Sequence, residues 1–392
     1  MSHPPLIPIP EALARLGLEE RLRVVPVQSG YPSPKQVNLV VRRVADSAML
    51  FESSAAAPDL LEETQRALDE AGVGRLDAVL VTHCHGDHAG AAGILAGRGR
   101  PPGERAPIHL SSVGYRFLTQ PVAAFLNETY EIYLARSHWG LLEYDTLSHE
   151  EMIENALRKR FSGYFAQTPK AALRFVDRDE LPPGIAAVPS PGHSWDCVLY
   201  FDEALGVAIP GDTIICTGIV ERPETHAFVV PIFTVAGQSY SMAWERYVQS
   251  ITRLEAFFRS HEVRMILPPH GRLAVVDPLA WVRFARDYFR ELYRALRVDF
   301  LGDRARSGSP FLACDVAALL PSTGSHPVST PGHFFGMLCA LADDGYLTLD
   351  EHVRTRQIRF TLRDALPPDW IEARLAEPAG LTVHRAPGAR SP

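Results

Sequence analysis

Six consecutive residues in the first quarter of the chain carry most of its candidate chemistry. Residues 83–88 read His-Cys-His-Gly-Asp-His and follow an apolar run that predicts a buried strand. His83 and His85 leave an extended backbone on the same side, whereas Asp87 and His88 come after a glycine, where the chain can turn. Imidazole nitrogens and carboxylate oxygens are ligands that Zn²⁺ prefers, and Mn and Fe also accept them. The segment therefore predicts a loop that faces two neighbouring metal ions.

Three later turns each offer one further ligand at the end of a predicted strand. They are His193 after the run 185–188, Asp212 after the run 206–209 and His270 after the run 263–267. Each of these turns contains glycine or proline, and turns that end strands are where sheet proteins commonly place their chemistry. We therefore expect these side chains to join the loop at 83–88.

The order and spacing of the seven residues resemble the metal-binding pattern of the metallo-β-lactamase fold superfamily, in its glyoxalase II-like hydrolase arrangement. The resemblance covers roughly residues 20–275. It implies one metal ion held by His83, His85 and His193, a second held by Asp87, His88 and His270, and Asp212 as the bridge. It also implies two divalent ions, with zinc as the first expectation and iron or manganese as alternatives.

One turn departs from the superfamily pattern. Where the family often has Asp-Thr-Gly or Asp-Ser-Gly after the second N-terminal strand, this chain has Glu52-Ser53-Ser54. That turn supports the site from behind the ligands, so the change puts its hydrogen bonds in doubt rather than the metal binding itself. Cys84 lies between two ligands, and we expect it to point to the opposite side and pack.

The implied chemistry is hydrolysis by a metal-bound hydroxide. Two divalent ions lower the pKa of a shared water toward neutrality and stabilise the oxyanion that forms from a carbonyl. Asp87 is the predicted catalytic residue, because it can orient the hydroxide and carry a proton to the leaving group. Ser194 is not expected to be a nucleophile, since no Gly-x-Ser-x-Gly turn surrounds it. The expected substrate is a small-molecule or carrier-bound acyl thioester, ester or lactone, with a thioester slightly ahead.

Two other function classes fit the same ligands. A nuclease or phosphodiesterase is suggested by the metal site together with the C-terminal region, which resembles a winged-helix module. A diiron oxygenase or sulfur dioxygenase would follow if the site holds iron rather than zinc. The superfamily resemblance does not itself imply hydrolysis of β-lactams.

Composition sets the broad class. The chain has 392 residues, 46% of them hydrophobic and 22% charged, which allows a large core and more than one domain. A net charge of −7 gives no general attraction to nucleic acid, which is not an expected partner. Five widely spaced cysteines favour a reducing compartment, and no apolar run is long enough for a membrane span. We expect a cytoplasmic protein with no membrane partner, and oligomer formation remains open.

The predicted elements give an α/β fold. Strands are predicted at 24–27, 37–41, 48–51, 76–81, 108–110, 186–190, 197–201 and 206–209, and helices at 91–96, 241–259 and 278–297. Helices outside two mixed sheets form a four-layer αββα sandwich of the metallo-β-lactamase type, with the site along one edge.

Two regions go beyond this minimal fold and suggest a domain at 1–300 followed by a module at 301–392. Residues about 113–175 form an aromatic-rich helical insertion that either packs or builds a hydrophobic wall over the site, and 221–236 is a second candidate lid. Helices at 314–320 and 331–341 and a hairpin at 346–362 resemble a winged-helix module. Residues 334–341 contain no Lys or Arg, so we favour a structural role over DNA binding.

Overall fold

Two β-sheets lie face to face in the computed structural model of the protein. The structure describes residues 4–30, 35–45, 47–115, 168–215, 240–304, 308–318, 329–352, 355–376 and 380–385 and positions 119, 138 and 140. The first sheet has the order β2-β3-β4-β5-β6-β7. Its strands are β2 (Leu22–Gln28), β3 (Gln36–Val44), β4 (Ser47–Phe51), β5 (Leu76–Leu80), β6 (Ile108–Leu110) and β7 (Leu173–Phe175). The first three strands correspond to those predicted at 24–27, 37–41 and 48–51 and form an antiparallel meander, and β4 to β7 are parallel.

The second sheet follows the order β1-β12-β11-β10-β9-β8-β15. Its strands are β1 (Leu6–Pro8), β8 (Ile185–Pro189), β9 (Val198–Asp202), β10 (Val207–Ile209), β11 (Met265–Ile266), β12 (Leu273–Val275) and β15 (His384–Arg385). β10 and β11 are parallel, and the other pairs are antiparallel. The strands predicted at 186–190, 197–201 and 206–209 are confirmed as β8 to β10. The pairing of β15 with β8 was not predicted.

Helices cover the outer face of each sheet. The described helices of the N-terminal and central parts of the chain are α1 (Ile9–Leu16), α2 (Pro58–Glu70), α3 (Gly86–Ala89), α4 (Ala92–Leu95), α5 (Tyr240–Ser260) and α6 (Pro278–Arg294). Of these, α1 packs against the core between the sheets rather than on an outer face. Along β9, Val198 and Tyr200 pack between the sheets, whereas Leu199 and Phe201 pack with α5 and α6, because successive strand residues face opposite sides. α2 and α4 pack on the first sheet. The four-layer αββα sandwich predicted from the sequence is confirmed.

The end of α6 differs from its prediction. The chain continues through a π-helical segment, Ala295–Phe300, into α7 (Leu301–Arg304), so helical structure extends past the expected end near 297. The reason is burial, since Leu296, Phe300 and Leu301 all belong to the core next to α6. The predicted helix at 91–96 is shorter than expected and spans only the four residues of α4.

The C-terminal region contains the predicted succession of helix, helix and hairpin. Its elements are α8 (Ala313–Ala317), α9 (Ser329–Asp343), β13 (Leu347–Glu351), β14 (Ile358–Leu362) and α10 (Trp370–Ala376). Phe334 of α9 and Trp370 of α10 lie in the same buried cluster as Trp244 of α5 and Phe289 of α6. The core of the sandwich therefore continues into this region, while its identity as a winged-helix module and the boundary at 300 stay predictions.

The insertion, for which packing and a wall over the site were both open, and the second candidate lid lie largely outside the described residues. The insertion at about 113–175 is described only at 113–115, 119, 138, 140 and 168–175, and the candidate lid at 221–236 lies wholly outside. The aromatic side chains that suggested a hydrophobic wall are also outside, namely Phe117, Phe125, Tyr130, Tyr133, Trp139, Tyr144, Phe161, Tyr164 and Phe165. Among the described helices, none combines the length and apolar character needed to cross a bilayer.

Candidate metal centre

The seven predicted ligands lie together at one edge of the sandwich, on turns that follow four strands. The loop at 83–88 follows β5 and leads into the single helical turn of α3. His193 follows β8, Asp212 lies in a 3₁₀ turn after β10, and His270 follows β11. The strands are buried on both faces, so the ligands emerge only where each strand ends.

His83, His85 and His193 form the first group, which we call the three-histidine cluster. His85 Nδ1 lies 3.1 Å from His83 Nε2 and 3.0 Å from His193 Nε2. Four ligand atoms set tetrahedrally at about 2.0–2.1 Å from a zinc ion are about 3.3 Å apart, so these spacings suit one ion. Burial, more than any neighbouring charge, lowers the pKa of His83 and His85 well below the ordinary value. Both imidazoles are therefore neutral near pH 7, the form that binds metal.

Asp87, His88 and His270 form the second group, which we call the mixed cluster. The Nε2 atoms of His88 and His270 are 3.2 Å apart, and each lies 3.5 Å from an oxygen of Asp87. Burial alone would lower the pKa of His88, but the carboxylates of Asp87, Asp212 and Glu52 outweigh it and raise the pKa to about 10. The mixed cluster thus holds a proton near neutral pH that a metal ion would replace.

Asp212 lies between the two clusters. Its Oδ2 is 3.4 Å from His193 Nε2, and its Oδ1 is 3.4 Å from His88 Nε2 and 3.3 Å from His270 Nε2. Burial raises the pKa of this carboxyl, but the three histidines together lower it well below its usual range. One oxygen thus faces each cluster, which is the geometry of a bridging carboxylate.

The donor set fits two divalent cations. Three groups in this region have ligand atoms close enough to share an ion: His83 with His85 and His193, His83 with His88 and Asp212, and Asp87 with His88 and His270. Two buried carboxylates among imidazoles favour cations, and nitrogen and oxygen donors suit zinc, iron and manganese. The residues that would hold the ions are those predicted from the sequence.

The turn at Glu52-Ser53-Ser54 supports the site, which answers the doubt raised by its departure from the family pattern. Glu52 Oε1 accepts a hydrogen bond from Thr82 Oγ1 at 2.5 Å and lies 3.4 Å from His88 Nδ1, while Oε2 accepts from Thr82 N at 3.3 Å. Ser53 donates through its backbone N–H and its hydroxyl to the carbonyl oxygen of His88. The longer glutamate therefore still holds the imidazole of His88 from behind.

Sequence reasoning missed the residues that hold the turn carrying His270. His270 Nδ1 donates to the carbonyl oxygen of Gln36 at 2.6 Å, which leaves Nε2 to face the mixed cluster. Asn38 on β3 donates to the carbonyl oxygens of Pro268 at 3.2 Å and Gly271 at 2.7 Å. A polar residue inside the apolar strand Val-Asn-Leu-Val-Val was the available signal.

Helix α5 holds the turns that carry His193 and Asp212. The hydroxyl of Tyr247 donates to the carbonyl oxygen of Thr213 at 3.0 Å, and that of Ser250 donates to Pro191 at 2.7 Å. Gly192 has φ of +152°, and a Cβ there would lie 2.5 Å from Tyr247 Cβ, so only glycine allows this contact. The large buried tyrosine thus connects the turn that carries His193 of the three-histidine cluster to the turn that carries Asp212, which lies between the clusters.

Two residues that could be mistaken for catalytic groups have structural contacts. The hydroxyl of Ser194 donates to Asp196 Oδ1 at 2.5 Å, within its own turn, as expected for a residue that is not a nucleophile. Cys84 is buried, and its thiol donates to the carbonyl oxygen of Gly114 at 3.4 Å. It belongs to none of the candidate metal-binding groups among the described residues, in agreement with the predicted packing role.

Comparison with known proteins agrees with this geometry. The family model of the metallo-beta-lactamase superfamily matches residues 35–257, more than half of the 392-residue chain. A metallo-beta-lactamase family protein from Thermus thermophilus is 20% identical with a TM-score of 0.58, covering 88% of this chain and 99% of that chain. A beta-lactamase domain protein from Burkholderia ambifaria is 18% identical with a TM-score of 0.56, covering 88% and 92% respectively. No curated protein matches the sequence.

Proposed function

Since this chain belongs to the metallo-beta-lactamase superfamily and its His and Asp groups can bind metal ions, we propose that it is a dinuclear metal hydrolase acting on an acyl thioester, ester or lactone. The observation that carries the proposal is the position of Asp212, whose oxygens face the three-histidine cluster on one side and the mixed cluster on the other. A site built around such a bridge suits two ions that act together.

When bound, two divalent ions would lower the pKa of a shared water toward neutrality and polarise the carbonyl of the substrate. Asp87 would have the catalytic role among the chain's own residues. Its two oxygens face different imidazoles, so one can act as a ligand while the other accepts a hydrogen bond from the attacking water. The oxygen that is not a ligand would accept a proton from the water and pass it to the leaving group.

Zinc is the proposed metal, and a thioester is the proposed first substrate class. The ligand order resembles glyoxalase II-like hydrolases, which supports acyl transfer to water rather than attack on a phosphodiester. The acyl group is proposed to belong to a small molecule or a carrier-bound chain. Helix α9 offers no Lys or Arg between 334 and 341, and this supports a structural role for the C-terminal region as a wall of the cleft.

Metal analysis followed by a substrate panel tests the proposal. Protein purified without added metal should contain about two zinc ions per chain and should hydrolyse acyl thioesters, and Asp212→Ala should remove both properties. About two iron ions per chain would instead support an oxygenase. Tight, salt-sensitive binding of duplex nucleic acid together with phosphodiester cleavage would support the nuclease alternative. Purified protein that holds no metal, or two zinc ions with no acyl hydrolysis across the panel, would contradict the proposal.

A further inference from the structure

Asp196 joins two segments of chain that meet at the metal centre. Its carboxylate is almost fully buried, with 3% of the residue exposed. Oδ2 accepts a hydrogen bond from the backbone N–H of Cys84 at 2.8 Å, and Oδ1 accepts from the hydroxyl of Ser194 at 2.5 Å. The two donors are far apart in sequence, so this one side chain fixes how the loop after β5 lies against the turn after β8.

Both donors are immediate neighbours of the three-histidine cluster. Cys84 lies between His83 and His85, and Ser194 follows His193. Within the described part of the chain, the side chain of Asp196 accepts no hydrogen bond from residues 86–88 or from the turn that carries His270. Its direct links therefore concern only the cluster made of three imidazoles.

The carboxylate of Asp196 is closely packed. A Cβ at Gly114 would lie 2.4 Å from Cys84 Sγ and 2.7 Å from Asp196 Oδ2, so the backbone of residue 114 closes this side of the carboxylate. A buried N–H that loses its protein acceptor costs free energy and no longer fixes the position of its loop. Cys84 N–H would be in that position without Asp196.

We propose that Asp196 is a positioning residue for the three-histidine cluster, setting the distance between His83 and His85 on one loop and His193 on the other without itself binding metal. The role rests on the proposed function only in that the cluster takes a divalent ion, and it does not depend on the substrate. Partners behind metal ligands typically change metal affinity by about 10- to 100-fold when removed. Asp196→Ala should lower the metal affinity of the three-histidine cluster by about that factor and leave the metal affinity of the mixed cluster unchanged.

Two parent variants separate the clusters for this test. His270→Ala disables the mixed cluster and leaves the three-histidine cluster, whereas His193→Ala does the reverse. Asp196→Ala is added to each parent, and the dissociation constant for Zn²⁺ is measured by competition with a chromophoric chelator. Asp177→Ala is the matched control, since the carboxylate of Asp177 also accepts hydrogen bonds from a backbone N–H and a serine hydroxyl, both of Ser112, on a turn that carries none of the seven ligands. It should leave both affinities unchanged.

Two further variants keep the test decisive if Asp196→Ala fails to fold. Ser194→Ala removes only one of the two hydrogen bonds to Asp196. It should lower the metal affinity of the three-histidine cluster by about tenfold, the low end of the expected range. Asp196→Asn can accept from Cys84 N–H and donate to Ser194 Oγ, whose own proton can turn toward Cys197 Sγ at 3.2 Å. It should therefore restore most of the affinity.

If Asp196→Ala lowers the zinc affinity equally in both parent variants, the proposed role is overturned, because an equal effect would indicate a general loss of structure. An unchanged affinity of the three-histidine cluster in Asp196→Ala or Ser194→Ala would overturn it as well. So would an Asn variant as weak as the Ala variant, since the hydrogen bonds would then not be the cause. These readouts are metal affinities, so a failure of the acyl hydrolase proposal would appear separately, as normal zinc binding without hydrolysis.

Discussion

Replacement of Glu52 by Gln should lower the metal affinity of the mixed cluster more than that of the three-histidine cluster. In the folded protein, Glu52 Oε1 contacts both Thr82 Oγ1 and His88 Nδ1, and Oε2 accepts from Thr82 N–H. Gln can keep an oxygen at the first position, but its NH₂ group then faces the buried N–H of Thr82. A hydrogen bond to a charged group contributes about 1.5–3 kcal/mol, compared with about 0.5–1.5 kcal/mol for a neutral one. The contact between Glu52 Oε1 and His88 Nδ1 is an ion pair at 3.4 Å, and loss of its charge should cost a similar difference of about 1–1.5 kcal/mol, or about tenfold in metal affinity.

The assay is the same chelator competition in the His193→Ala and His270→Ala parents. Glu52→Gln should raise the dissociation constant for zinc about tenfold at the mixed cluster. At the three-histidine cluster the change should be smaller, because Thr82 Oγ1 keeps its acceptor and still contacts His83 Nδ1 at 3.2 Å. Glu62→Gln, an exposed position on α2, serves as the matched control. Equal weakening at both clusters, or no change at the mixed cluster, would refute this account of Glu52.

Three further outcomes follow from the same geometry. Asp212→Ala should release both ions, whereas His85→Ala should release about one per chain, as read by metal analysis; unchanged content in both would refute the ligand assignment. Zinc binding to the mixed cluster should release a proton at pH 7 and become tighter as the pH rises toward about 10, because the raised pKa keeps His88 protonated below that value. Calorimetry in buffers of different ionisation enthalpy measures this release, and its absence would contradict the prediction. Gly336→Ala should lower the free energy of unfolding by up to about 2 kcal/mol. The added Cβ would lie 2.7 Å from Trp244 Cβ, and this overpacking outweighs the gain in helix propensity. An unchanged denaturation midpoint would contradict the close packing of α9 on α5.

The seven ligand residues could be predicted because their signal is local. Histidine and aspartate stand at the ends of apolar runs, and strand ends are visible in the sequence without knowledge of the fold. The supporting residues give no such signal, since their roles depend on which segments meet in space. Asn38 reaches the turn near Pro268, 230 residues away, and Asp196 reaches Cys84 across 112 residues.

The C-terminal region illustrates the same limit for packing. Its helices and hairpin were predictable from apolar patterns and turn residues, but their neighbours were not. Apolar side chains at 334–341 are buried on several sides of α9, so periodicity alone does not say which surface they meet. In the structure they join the cluster that contains Trp244, on the helix whose Tyr247 supports the turns of His193 and Asp212. The region is therefore connected by direct packing to the back of the metal centre.

The loops that carry the ligands gain their precision from side chains behind them rather than from regular secondary structure. His88 has Glu52 and Ser53, His270 has the carbonyl oxygen of Gln36, and the three-histidine cluster has Asp196. These contacts are buried or, at His270, partly buried, where an unpaired donor or acceptor is costly, so each favours one position of its loop. Ligands that converge from four separate turns can therefore be preorganised before an ion arrives, and the binding energy of the ions need not be spent on ordering the loops.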